Sequence, residues 1–133
     1  MIVIDTSAVV ALVFAEPERD AIARAIQQAD MVLISTVSVV EARMVVQGRR
    51  GQRAVVLLDD LLRLPMFEKV PPGVAETDAA YAAFVAFGKG SGHPAGLNCG
   101  DVFSYALAKV RGLPLLLKGD DFSRTDLVDA LRL

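Results

Sequence analysis

Short apolar runs alternate along this chain with longer segments whose apolar positions recur at helical spacing. Ile2-Val3-Ile4, Met31 to Ile34 and Leu115-Leu116-Leu117 are such runs, and Phe67 to Val70 reads as another strand. The first is made of β-branched residues, which suit a strand buried on both faces of a sheet. Between the runs, helices are predicted over Ala8 to Phe14, Pro17 to about Gln28, and Ser35 or Thr36 to about Gln47. Further helices are predicted over Gln52 to Leu64, Val74 to Phe87 and Asp101 to Arg111. In the last, Val102, Phe103, Ala106, Leu107 and Val110 keep the spacing of one helix face. Val55, Val56, Leu57, Leu58, Leu61 and Leu62 are expected to be chiefly core, and are also plentiful enough to build a surface for another chain.

Breaks are expected at Glu16-Pro17-Glu18, at Gly48 to Gly51, at Pro65, at Pro71-Pro72-Gly73 and at Gly112. The stretch Gly88 to Gly96 is too rich in glycine for regular structure. Strands alternating with helices predict an α/β fold, a parallel sheet with helices on both faces. Nothing divides the chain, so residues 1–133 are expected to form one domain.

Composition narrows the function. With 53% hydrophobic and 23% charged residues, the chain has the balance of a soluble globular domain. No apolar stretch approaches the roughly 18 residues of a membrane span. The apolar start lacks a basic flank and is interrupted by Asp5, so a signal peptide is not expected. The single cysteine, Cys99, excludes an internal disulfide and fits a cytoplasmic setting. A net charge of −2 repels phosphate on average, so a nucleic-acid binder of this composition needs a local basic patch or bound cations.

The carboxylates carry the candidate chemistry. Asp5 ends the first run, Asp120 or Asp121 follows the last, Asp101 opens a helix, and Glu41 lies inside the helix after the second run. In open parallel sheets, ligands bind beyond the carboxyl ends of the strands. Each acid also has a structural role open to it. Asp5 is a candidate helix cap, as are Thr6 and Ser7. Asp101 in Asn98-Cys99-Gly100-Asp101 suits a helix N-terminus. Asp120 and Asp121 suit a turn, and Glu41 suits a solvent face. Gathered at one edge, such acids repel one another, and hard cations such as Mg²⁺ or Mn²⁺ would neutralise them. Those ions activate water and stabilise charge on a phosphate attacked in line, which permits phosphodiester hydrolysis without a histidine base. The one histidine, His93, is expected to be a loop residue, and Cys99 a small buried thiol.

Val3-Ile4-Asp5-Thr6-Ser7-Ala8, Ser38-Val39-Val40-Glu41, Asn98-Cys99-Gly100-Asp101 and Leu117-Lys118-Gly119-Asp120-Asp121-Phe122 resemble, in order, the successive motifs of PIN-domain nucleases. The resemblance is to the VapC toxin branch of type II toxin–antitoxin systems and covers nearly the whole chain. It implies a Mg²⁺-dependent endoribonuclease, with Mn²⁺ a substitute, that cuts structured RNA, commonly tRNA. It also implies a homodimer held by a VapB-type antitoxin.

The family's acids carry over to Asp5, Glu41, Asp101 and a fourth, assigned to Asp120 with Asp121 as the alternative. Asp120 stands one residue closer to Phe122 than the family's spacing. Thr6, Ser7, Lys118 and Arg124 are candidate substrate contacts, Lys118 and Arg124 because they flank the last acidic motif. Arg49, Arg50, Arg53 and Lys89 are further basic residues able to track an RNA backbone.

Two alternatives stand beside this. A haloacid-dehalogenase-like phosphatase also uses an aspartate after the first strand, but needs a second aspartate where this chain has Ser7. A PIN-like module that only binds RNA or a partner would have lost the acids, which are present here.

Overall fold

The structure, a computed structural model, describes residues 1–119 and 125–132. Four parallel strands form one sheet: β1 (Ile2–Ile4), β2 (Val32–Ser35), β3 (Phe67–Val70) and β4 (Leu115–Leu116), in the order β3-β2-β1-β4. Val3 is in register with Leu33 on one side and Leu115 on the other. Because side chains alternate along a strand, the sheet feeds two separate cores.

Ile2, Ile4, Val32, Ile34 and Leu116 face one layer. That layer is built from α1 (Thr6–Val13), α2 (Arg19–Gln28), α3 (Thr36–Arg50) and α4 (Gln52–Leu62). Val3, Leu33, Val70 and Leu115 face the other, built from α5 (Val74–Phe87) and α6 (Cys99–Arg111). The sheet with helices on both faces is therefore as expected. Among the described residues no helix is long and apolar enough to cross a membrane.

Several local expectations are corrected. The helix expected from Pro17 begins at Arg19, whose N–H donates to the Glu16 carbonyl in the preceding turn. The break expected over Gly48 to Gly51 shrinks to Gly51 alone. A glycine inside a helix costs only about 1 kcal/mol, and α3 runs through Gly48 to Arg50. Gly51 takes φ +81°, which other residues adopt at a cost, and there the chain turns into α4. On α4, Leu58 and Leu62 are buried, but Val56 and Leu57 are 58% and 63% exposed rather than core. These two lie about a quarter-turn or more off the α4 face that meets the sheet, and no element covers them among the described residues. Cys99 is exposed rather than buried, since it occupies the first turn of α6.

Candidate active site

Asp5 leaves the carboxyl end of β1 and is the N-cap of α1. Its Oδ2 accepts from the Ser7 N–H at 3.0 Å and from the Ser7 hydroxyl at 2.7 Å. The side chain is almost wholly buried, and among the described residues Oδ1 has no hydrogen-bond partner. Capping engages one oxygen of this carboxylate: Oδ2 is spent on the helix, and among the described residues Oδ1 is left over. A buried, unpaired carboxylate oxygen costs free energy unless something cationic or protic meets it.

Ser7 does more than cap. Its hydroxyl also accepts from the Lys118 N–H at 3.0 Å, joining Asp5 to the chain that leaves β4. The Lys118 ammonium bonds Glu16 and lies 3.7 Å from Glu18. Its hydrogen bond to Glu16, opposed by burial and reinforced by the charge of both carboxylates, raises its pKa above the ordinary lysine value. Thr6 is buried, and its hydroxyl donates to the Ser38 carbonyl at 3.4 Å. The hydroxyls of Thr6 and Ser7, both expected as substrate contacts, make internal hydrogen bonds here. The charge of Lys118 is matched by two carboxylates.

Glu41 lies on α3 two turns from the Ser35 cap, whose Oγ accepts from the Val37 N–H at 3.2 Å. Its carboxylate does not simply face solvent. It rests against Gly100 in the first turn of α6, where a Cβ on residue 100 would fall onto the carboxylate atoms. Asp101 follows Gly100 and closes a reciprocal cap. The Asp101 N–H donates to Asn98 Oδ1 at 2.9 Å, and the Asn98 N–H donates to Asp101 Oδ2 at 3.0 Å. The positive end of α6 is thereby turned toward both acids.

Asp120, Asp121 and Arg124 lie outside the described residues. Among those described, no three His, Cys, Asp or Glu side chains are close enough to share one ion. The expected closed cluster of Asp5, Glu41 and Asp101 is therefore not formed by those three alone. The donor set nevertheless fits a hard cation: all donors are carboxylate oxygens, one is buried without a partner, and a glycine leaves room for another.

Of the remaining sequence candidates, His93, Arg49 and Arg50 have side-chain partners. His93 packs edge-on to Phe87, ring centroids 4.9 Å apart, and its Nδ1 accepts from the Ala95 N–H. It is a loop residue, as expected. The glycine-rich loop is closed at its neck by backbone bonds between Lys89 and Leu97 and between Leu97 and Phe87. Arg49 and Arg50 stand over the Phe14 ring at 5.5 and 5.2 Å, and Arg49 lies 3.8 Å from Glu16.

Sequence reasoning missed Ser38, Ser104 and Gly100. Ser38 and Ser104 share a buried hydroxyl bond of 3.0 Å. The one signal for Ser38 and Ser104 was a polar residue on an otherwise apolar helix face. Gly100 had only its place beside Asp101.

The PIN domain family matches residues 2–128. Ribonuclease VapC30 of Mycobacterium tuberculosis is 43% identical over 125 residues, covering 94% of this chain and 95% of that one. Among solved structures, the fold is similar to that of Mycobacterium tuberculosis VapC20, described as a sarcin–ricin loop cleaving toxin. The TM-score there is 0.80 at 19% identity, over 97% of this chain and 98% of that one. It is also similar to a chain of VapBC2 from Rickettsia felis, crystallised on a DNA fragment from its promoter. That match has a TM-score of 0.76 at 16% identity, over 96% of each chain.

Proposed function

This chain belongs to the PIN-domain family, among its VapC ribonucleases, and we propose that it is a toxin that hydrolyses structured RNA, tRNA first, with the help of Mg²⁺. The observation that carries this is Asp5: a buried carboxylate at the carboxyl end of β1 with one oxygen fixed by Ser7 and the other unpartnered among the described residues. Asp5, Glu41 and Asp101 would hold the cation, with Asp120 or Asp121 as a fourth acid. When bound, Mg²⁺ or Mn²⁺ lowers the pKa of a coordinated water and offsets charge on the attacked phosphate.

The chain's own residues supply preorganisation. Ser7 holds Asp5 in one rotamer, and its bond to Lys118 keeps the exit of β4 beside it. Gly100 lets the Glu41 carboxylate lie against the α6 N-terminus, whose dipole offsets part of the negative charge gathered there. The Glu16–Lys118–Glu18 group steadies the same edge and engages the Lys118 ammonium with two carboxylates. RNA contacts fall instead to the exposed Arg49 and Arg50 beside Phe14, and to Arg124.

A VapB-type antitoxin and a second copy of the chain are the proposed protein partners. Val40 and Met44 on α3, with Val56 and Leu57 on α4, are exposed apolar residues that support a protein-binding surface.

The test is cleavage of total tRNA by purified, antitoxin-free protein with Mg²⁺ or EDTA, beside Asp5→Ala. Discrete fragments with 5′-phosphate and 3′-hydroxyl ends, lost with EDTA and in Asp5→Ala, are expected. Ends carrying 2′,3′-cyclic phosphate would exclude the metal route. Cleavage of ribosomal RNA with tRNA intact would reassign the substrate.

A further inference from the structure

The helices that bear Glu41 and Asp101 touch through two hydroxyls. Ser38 and Ser104 are both fully buried, and their Oγ atoms are 3.0 Å apart. Ser38 precedes Glu41 by three residues and Ser104 follows Asp101 by three, so each hydroxyl lies one turn from an acid on the same helix face. Moving along α3 from Ser38 to Glu41, the facing residue of α6 changes from Ser104 to Gly100. The Ser38 carbonyl also accepts from Thr6, the residue after Asp5. Three elements, each bearing one of the acids, therefore meet at one buried polar point.

Apolar packing alone would hold these helices together, but it is non-directional. A hydroxyl pair fixes separation to a narrow range while adding only about 0.5–1.5 kcal/mol to stability. Geometry, more than stability, is what such a pair supplies.

We infer that Ser38 and Ser104 are positioning residues that set the spacing of Glu41 and Asp101 for a divalent cation. The inference rests on the cation-dependent reading above. Neither side chain touches the ion; each acts through the acid one turn away.

The test is calorimetric titration of Mg²⁺ into wild type, Ser104→Ala, and the double variant Ser38→Ala with Ser104→Ala, with each melting temperature recorded free of metal. Ser104→Ala strands a buried Ser38 hydroxyl and should melt lower. The double variant removes both hydroxyls, and its melting temperature should return toward wild type. Positioning predicts that the Mg²⁺ dissociation constant is raised about ten-fold or more in both variants, as for loss of supporting groups at metal sites. A double variant with wild-type melting and wild-type Mg²⁺ binding would overturn the inference, because the pair would then serve stability alone. Should the double variant not fold, Ser104→Ala titrated well below its transition decides, and an unchanged dissociation constant there overturns it. Wild type that binds no Mg²⁺ would instead sink the metal reading, and this inference with it.

Discussion

The Glu41 carboxylate lies against the backbone of Gly100, and no side chain fits between them. Gly100 sits in the first turn of α6, beside Asp101, so this contact brings the Glu41 carboxylate to the turn that carries Asp101. Gly100→Ala would resolve the clash cheaply by swinging out the flexible end of Glu41. The expected result is a protein that folds as well as wild type or up to about 1 kcal/mol better, since alanine is the better helix former. Its RNA cleavage should fall about a hundred-fold, the cost of a displaced catalytic group. Thermal melting and cleavage rates on one preparation check both halves; wild-type cleavage would detach Glu41 from the site.

Ser7 is the hinge between Asp5 and the exit of β4. Ser7→Ala takes one hydrogen bond from Asp5 Oδ2 and leaves the Lys118 N–H without its acceptor. A loss of about 1–3 kcal/mol in urea unfolding is expected. Ser7→Thr, which keeps the hydroxyl, should recover most of the lost cleavage, whereas full activity in Ser7→Ala would deny Ser7 its orienting role.

Acid sensitivity should trace to Asp126. The Lys109 ammonium, then the Tyr105 hydroxyl at 2.5 Å, stabilise its ionised form and lower its pKa, tying the segment after β4 to α6. Tyr105 shows the counterpart: burial first, then its bond to Asp126, pushes its pKa up. With the folded pKa of Asp126 depressed, its contribution is complete above the ordinary aspartate range near pH 4 and is lost as pH falls below it. Asp126→Asn should lower the melting temperature at pH 7 and flatten its decline between pH 5 and 2. A decline as steep as wild type would place the acid-labile contact elsewhere.

Mg²⁺ should raise the melting temperature of the wild-type chain by mass action on the folded state. Asp101→Asn, which keeps a side chain able to cap but removes charge, should shrink that rise. An equal rise in both would remove Asp101 from the ligand set.

Much of the layout was legible in one dimension. The β-branched run of β1, the glycines and prolines between periodic segments, and the acids after strands are local features that follow from backbone sterics and hydrophobic spacing. Strand β3 and helix α5 match the sequence expectation to the residue. Helix starts and stops drifted by a few residues, because the cost of Gly48 inside α3 is small beside the burial that helix gains. The exposure of Val56 and Leu57 was hidden because an apolar side chain does not record whether a neighbour covers it.

The sequence by itself determined which residues carry charge and which elements bear them, since these follow from residue type and local periodicity. Tertiary structure alone decided which oxygen of Asp5 is spent on a cap and which is left over. It also brought Glu41 to Gly100 and Ser38 to Ser104, residues 59 and 66 positions apart. Those pairings depend on the angle at which packed helices cross, and that is set jointly by the side chains of both cores.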